Sequence, residues 1–199
     1  MTDADDHKAK MKELQAAQRA KAAEATDPSR GLVLVHTGNG KGKSSSAFGV
    51  VIRALGWGQR VGVVQFIKGT WITGEKRFFD TLGQVTWHTM GEGFTWDTQD
   101  RDRDIEAATA AYARAVEMMG SGAFDLIVLD EINIALRYDY LDVADVIAGL
   151  DQRHQRTGVI LTGRDAKPEL MDYADLVTEM TEIKHPYHAG IKAQRGVDF

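Results

Sequence analysis

The sequence predicts a three-layer α/β domain, a mostly parallel sheet with helices on both faces, and three observations carry that expectation. From Gly31 onward, short apolar runs alternate with longer segments of helical periodicity, the pattern of a parallel sheet joined by right-handed helical crossovers. Runs such as VGVVQFI at 61–67 and LIVL at 126–129 are apolar at successive positions, as expected of strands buried on both faces. At 199 residues and 43% hydrophobic content, the chain has the size of one domain, typically about 100 to 200 residues.

Residues 1–30 precede this pattern and read as a separate arm. They are acidic at the tip, then rich in Ala, Lys, Gln and Glu, with few large apolar side chains beyond Met11 and Leu14. Such a segment favours helix but has too narrow an apolar stripe to dock strongly by burial alone. It is either a frayed helical tail or an arm that folds over a site or a neighbouring subunit. The domain, expected over 31–199, begins with a strand at 32–36 (LVLVH), a Gly-rich turn, and a helix at 43–55 that turns Ala47, Val50, Val51, Ala54 and Leu55 inward. The strand at 61–67 follows, then a short strand at 85–88 and a Gly- and Trp-rich loop at 91–97. A helix at about 101–119 places Ile105, Ala108, Tyr112, Ala115 and Met119 on one face. A strand at 126–130, a helix near 141–154, a strand at 158–163, a short helix near 167–173 and a strand at 176–180 complete the series. There is no internal repeat and no second domain in the pattern.

Composition narrows the function. With 24 basic and 29 acidic residues and a formal charge of −5, the chain has no excess positive field to attract nucleic acid. The absence of cysteine excludes disulfides, thiolate metal sites and cysteine nucleophiles, and fits a reducing compartment, so a cytoplasmic location is expected. No apolar run approaches the roughly 18 residues that span a bilayer, and the charged start has no apolar signal-peptide core behind it. Neither a membrane nor a nucleic acid is an expected partner.

The segment from Leu32 to Ser46 carries the strongest chemical signal, with strand, Gly-rich turn, Lys-Ser and helix in the order of a P-loop. Gly38, Gly40 and Gly42 are expected to supply positive φ angles so that the backbone curls and N–H groups converge on phosphate oxygens. The start of the next helix adds unpaired N–H groups and the positive end of its dipole. Lys43 offers a compact charge to the outer phosphates, and the Ser44 hydroxyl can coordinate Mg²⁺. The strict pattern G-x-x-x-x-G-K-[ST] requires glycine at position 37, where this chain has Thr37. A second element fits the first: the apolar run 126–129 ends at Asp130-Glu131, like a Walker B strand with carboxylates at the ligand-binding edge of an open α/β sheet. Mg²⁺ keeps several waters, so one carboxylate, one hydroxyl and phosphate oxygens suffice. The fold expectation sharpens accordingly to a RecA-like P-loop NTPase domain.

Further segments show a more specific resemblance. TGNGKGKSS (37–45), GVVQFIKGTW (62–71) with Gly74-Glu75, GFTWDTQ (93–99), LDE (129–131), YDYL (138–141), TGR (162–164) and the C-terminal run KHPYHAGIKAQRGVDF (184–199) together resemble the P-loop type of cob(I)alamin (corrinoid) adenosyltransferase. The resemblance covers residues from about 31 to 199. It explains Thr37, since family members share this departure from the strict pattern. It implies ATP lying reversed relative to most P-loop enzymes, its 5′-carbon facing a corrinoid. Co(I) of the reduced corrinoid attacks that carbon and the whole triphosphate is expelled. By the same resemblance, Gly38, Asn39, Gly40, Lys41, Gly42, Lys43, Ser44 and Ser45 hold the phosphates. Ser44 replaces the family's usual threonine as Mg²⁺ ligand, and Glu131 is the acidic ligand, supported by Asp130. Phe94 and Trp96 match the aromatic pair that packs under the corrin and displaces its lower axial base, which makes Co(II) easier to reduce. Lys43, Phe94 and Trp96 are thus the expected catalytic residues, ATP, Mg²⁺ and a corrinoid the expected ligands, and a homodimer and a flavoprotein electron donor the partners the family suggests. The N-terminal helix, over residues 8–25, would reach across the active site.

Other candidates are weaker. His185 and His188, separated by Pro186, could be ligands only if a turn aligned them. His36 reads as a packed strand-end histidine, and Trp57, Trp71 and Trp87 as packing residues, with Trp71 able to border the pocket. Arg53 matches a family position but is equally a helix-face charge, and Arg164 is a phosphate or adenine-side candidate at a strand tip. The alternative function is a P-loop ATPase or nucleotide-switch module, and a third is a small-molecule phosphotransferase.

Overall fold

The computed structural model describes residues 3–26, 28–66, 73–89 and 100–198. Its centre is a six-stranded sheet in the order β3-β2-β4-β5-β1-β6, formed by β1 (Val33–Thr37), β2 (Val61–Gln65), β3 (Val85–Thr89), β4 (Leu126–Asp130), β5 (Gly158–Thr162) and β6 (Leu176–Glu179). Every neighbouring pair is parallel. One strand, β5, separates the phosphate-loop strand β1 from the carboxylate strand β4.

Alternation along the strands sends successive side chains into two cores. Val61 and Val63, Leu126 and Val128, and Ile160 face α2 (Lys43–Gly56) and α3 (Gly74–Leu82), where Phe48, Val51 and Phe79 complete one core. Val64, Ile127 and Leu129, and Val159 and Leu161 face the opposite layer. That layer is built from α4 (Arg101–Gly120), α5 (Ile132–Arg137), α6 (Val143–Asp151) and α7 (Pro168–Tyr173). Fully burying each Leu, Ile or Phe contributes about 1.5–3 kcal/mol, so the two-sided strands are where the sheet is anchored.

Helix starts follow local capping chemistry. The hydroxyl of Thr73 accepts from Lys76 N–H at the head of α3, the carboxylate of Asp100 from Arg103 N–H at α4, and that of Asp142 from Ala144 N–H at α6. α3 and α5 had no counterpart in the sequence reading, since α5 has only 6 residues and α3 only 9, too short for a 3.6-residue period to declare itself. The helix expected near 141–154 is confined to Val143–Asp151 by its Asp142 cap. On α4 the buried face carries Ala108, Tyr112, Ala115 and Met119 as expected, together with Ala111 and Met118, while Ile105 is half-buried.

α1 (Asp3–Glu24) is helical, and its residues from Ala4 onward are exposed. β6 is also open: all four of its residues are exposed, although Leu176 and Val177 are apolar. No helix among the described residues is long and apolar enough to cross a membrane.

Candidate functional site

The site is assembled at the C-terminal ends of β1, β2, β4 and β5. After β1, the loop turns at Gly38 with φ 93° and again at Gly42 with φ 114°, which starts α2. Gly40 differs from the expectation, because its φ is not positive. Its role is close approach: a Cβ there would lie 2.8 Å from the Met180 and Thr181 backbone. Its N–H donates to Met180 O at 2.7 Å, while Met180 N–H donates to Thr37 O at 2.9 Å. These two bonds lash the phosphate loop to the end of β6, and they commit the Gly40 amide to the loop's own structure.

Thr37, the departure from the strict pattern, is buried, and its hydroxyl accepts from Ala166 N–H at 3.0 Å. A glycine could not make that bond, which ties the base of the phosphate loop to the turn after β5. His36 is buried with Nδ1 2.9 Å from Ser46 Oγ, and the Ser46 hydroxyl donates to Lys43 O. The histidine thus braces the first turn of α2.

Lys43 is buried, and its ammonium donates to Gly40 O at 2.6 Å. Burial lowers its pKa, with Glu131 opposing that shift and Arg164 and Lys41 adding to it. Lys41 on the outer side of the loop pairs with Asp198, so the C-terminal tail reaches the phosphate loop.

Facing Lys43 is the acidic pair. Asp130, buried at the end of β4, accepts from Thr162 Oγ1 at 2.9 Å and from Gln65 Nε2 at 3.1 Å, and shares the cavity with Ser44. Burial raises its pKa, against those hydrogen bonds. Glu131 stands in the left-handed region, φ 62° and ψ 20°. In an extended strand, adjacent side chains point to opposite faces; the turn at Glu131 brings both carboxylates to one cavity. Burial, then the neighbouring Asp130, pushes the Glu131 carboxyl up to about 7, while Lys43 and Arg164 oppose the shift.

Ser44, Ser45, Gln65, Asp130, Glu131 and Arg164 line this cavity, of about 530 Å³. Within it the Ser44 hydroxyl and the Asp130 and Glu131 carboxylates offer hard oxygens, which suit Mg²⁺, and Glu75 and Asp198 add further carboxylates to the lining. Among the described residues no cluster of three His, Cys, Asp or Glu could hold a metal by itself. A cation that draws remaining ligands from water and phosphate matches this donor set, whereas an all-protein cage does not.

The structure brings Lys43, Ser44, Ser45, Glu131 and Arg164 together as expected. Arg53 is elsewhere, beside Trp57 and Leu32 in a groove at the opposite end of the sheet. Trp57 is 83% exposed, and Trp87 packs on Phe48 with ring centroids 5.4 Å apart. His188 Nε2 lies 2.8 Å from Glu182 Oε1 and His185 Nδ1 accepts from Tyr187 N–H, so both are occupied locally. Phe94, Trp96, Trp71 and the loop 91–97 lie outside the described residues. Gln65 and Thr162 were missed by the sequence reading, although each is a polar residue at the C-terminal tip of an otherwise apolar run.

Comparison with known proteins bears on this geometry. Residues 29–199 match the family model described as ATP:corrinoid adenosyltransferase BtuR/CobO/CobP. The chain is 52% identical over 194 residues to a corrinoid adenosyltransferase of Pseudomonas aeruginosa, covering 97% of this chain and 95% of that one. It is 49% identical over 196 residues to a corrinoid adenosyltransferase of Sinorhizobium, covering 97% and 91%. With the corrinoid adenosyltransferase CobA of Salmonella typhimurium it shares 44% identity over 180 residues, covering 90% and 91%.

Proposed function

The chain belongs to the ATP:corrinoid adenosyltransferase family and is an enzyme that adenosylates corrinoids, and we propose that it does so by holding ATP with its triphosphate in the phosphate loop and its 5′-carbon toward the cobalt of a reduced corrinoid. The electron pair of Co(I) forms the cobalt–carbon bond, the bond from C5′ to the triphosphate oxygen breaks, and triphosphate leaves with the electron pair of that broken bond. No protein nucleophile or strong base is required. The protein aligns two reactants and stabilises a departing polyanion, while cobalt carries the reactivity.

The observation that supports this reading best is that Ser44 and Ser45 of the phosphate loop share one cavity with the Asp130-Glu131 pair, with buried Lys43 within electrostatic reach of Glu131, in a chain that matches the family throughout that region. Lys43, now turned onto Gly40 O, swings to the outer phosphates and meets the charge that grows there as the C–O bond breaks. Residues 38–45 hold the polyanion, Gly40 by bracing the loop and its neighbours by donating to phosphate. Ser44 and Glu131 would hold Mg²⁺, and Asp130, in the same cavity, would orient the Ser44 hydroxyl. Bound Mg²⁺ supplies charge neutralisation at the phosphate oxygens. Phe94 and Trp96 form the apolar floor under the corrin. The enzyme acts as a homodimer fed by a flavoprotein electron donor, and α1 reaches over the active site.

An anaerobic assay with ATP, Mg²⁺ and chemically reduced cobalamin tests the reading, following loss of Co(I) absorbance and identifying both products. Adenosylcobalamin and intact triphosphate should appear together, and Lys43→Ala should suppress both. ADP and phosphate formed while Co(I) persists would overturn it in favour of an ATPase. Deleting residues 8–25 should weaken corrinoid use more than ATP binding; equal loss of both would remove α1 from the site.

A further inference from the structure

We propose that Thr162 is a positioning residue for the metal site: one buried hydroxyl at the tip of β5 fixes both Asp130 and the backbone of Glu131, and so aims the Glu131 carboxylate at the cation. The proposal rests on the reading of Ser44 and Glu131 as Mg²⁺ ligands.

Thr162 is completely buried. Its Oγ1 donates to Asp130 Oδ1 at 2.9 Å and accepts from Glu131 N–H at 2.9 Å, so the hydroxyl uses its single proton and a lone pair on two successive residues of the neighbouring strand. Glu131 needs that support. A left-handed conformation is unfavourable for a non-glycine residue, and Glu131 caps α5 without any side-chain capping bond of its own. Left unrestrained, residue 131 would relax toward extended geometry and carry its carboxylate to the other face of β4.

The rest of the β5 tip is shaped for the same purpose. Gly163 has φ 129°, and a Cβ there would lie 2.9 Å from Asn133 Cβ and 3.2 Å from Glu131 Oε2. Its carbonyl accepts from Asn133 Nδ2 at 3.2 Å. Residue 131 is therefore bonded to the last residue of β5 and residue 133 to the first residue after it. On the other side of Asp130, Gln65 Nε2 holds Oδ2. Asp130 is clamped between strands β2 and β5, and of these two clamps Thr162 alone also reaches Glu131. A threonine needed only to satisfy buried groups would support ATP and Mg²⁺ binding equally. A positioning role makes a different demand, confined to the metal.

The test is ATP binding by calorimetry without corrinoid, in Mg²⁺ and in EDTA, for the parent chain, Thr162→Val, Thr162→Ser and Glu131→Gln. The readout is the ratio of the two Kd values. Thr162→Val should lower the metal-dependent gain in affinity by about 10-fold or more, the usual cost of losing an outer hydrogen bond to a metal ligand, while metal-free ATP binding stays within about twofold. Thr162→Ser should restore the gain. A Thr162→Val chain that keeps the gain, or loses affinity equally with and without metal, overturns the proposal. If Glu131→Gln keeps the gain as well, the ligand reading has failed and the proposal falls with it; if only Glu131→Gln loses it, the ligand reading stands and the positioning role alone is refuted. Should Thr162→Val not fold, Thr162→Cys replaces it, a side chain of similar size whose thiol is a much weaker donor and acceptor; a metal-selective loss of about threefold or more supports the proposal, and an unchanged ratio overturns it.

Discussion

The two ends of the sheet are built on different physics. At the C-terminal ends of the strands, His36, Thr37, Asp130 and Thr162 are all buried polar residues, Lys43 is a buried cation, and Glu131 is held in the left-handed region. At the N-terminal ends, charge stays in solvent: Arg30 pairs with Asp175 and Arg60 with Asp125 on the surface, Trp57 stands 83% exposed, and the buried hydroxyl of Thr157 is neutral and donates to Phe124 O. Burying polar groups costs free energy unless each is bonded, and a strained backbone adds to that cost. A chain that concentrates both at one end of its sheet is accepting instability there for the sake of chemistry. The other end is free to be ordinary.

That contrast is broken most sharply by Lys43→Ala. Removing a donor aimed at developing charge lowers turnover by roughly 10²-fold or more, which the cobalamin assay reads. The same substitution should leave thermal stability equal or improved, because it deletes a cation whose burial already lowers its pKa. A variant that is both inactive and unstable would show that Lys43 holds the loop together rather than serving its ligand.

Glycine substitutions draw the same line in stability. At the site end, a Cβ on Gly38 would lie 2.5 Å from Met180 O and 2.8 Å from Glu179 Cγ, in addition to a φ of 93°. At the other end Gly58 has φ 71° and open space around it. Gly58→Ala should cost about 1–2 kcal/mol, the left-handed penalty alone, whereas Gly38→Ala should cost about 3 kcal/mol or more because backbone must also move. Urea melts of the two variants measure the difference, and equal midpoints would mean that β6 yields easily.

The functional end was only partly legible in the sequence. Apolar runs marked β1, β2, β4 and β5 because each is buried on both faces, unlike the edge strands β3 and β6, and the Gly-Lys-Ser turn and the Asp-Glu pair could be located because their chemistry is written in consecutive residues. Gln65 and Thr162 escaped since their partners, Asp130 and Glu131, lie 65 and 31 to 32 positions away, and only strand order makes them neighbours. Thr37 was visible as a departure but its bond to Ala166, 129 positions on, was not. Gly40 was credited with a turn it does not make, since a glycine required by close approach looks the same in sequence as one required by φ. α3 and α5 were too short to show a period.

Glu131→Gln tests the cost of the functional end directly. The folded chain holds the Glu131 carboxyl near 7 against an ordinary value of 4.5, so between those values the folded state binds more proton than the unfolded one, and stability falls as pH rises. Below about 4.5 both states are protonated and the effect vanishes. Without ligand, the glutamine variant should therefore melt higher than the parent at pH 8, by on the order of 1 kcal/mol, and no higher at pH 4. It should also lose adenosyl transfer. A variant destabilised at pH 8 would mean that the carboxylate is compensated in the empty site.

The smallest effect belongs to the surface end. Arg60 Nε lies 3.2 Å from Asp125 Oδ2, and the side chains are 60% and 34% exposed. The Arg60 N–H also donates to that carboxylate at 2.9 Å, a bond that survives truncation of the side chain. Exposed pairs contribute about 0.2–1 kcal/mol, so Arg60→Ala should shift the urea midpoint by no more than that, less in high salt, with activity unchanged. The Arg60 hydrogen bonds hold the Asp125 carboxyl below its ordinary value. Their contribution is therefore present above about pH 4 and fades as pH falls through the depressed value. The parent and variant midpoints should converge in strong acid. A larger loss at neutral pH, or any loss of adenosyl transfer, would mean that the two ends of the sheet are not independent, since the strands that follow directly on Arg60 and Asp125 end at Gln65 and Asp130.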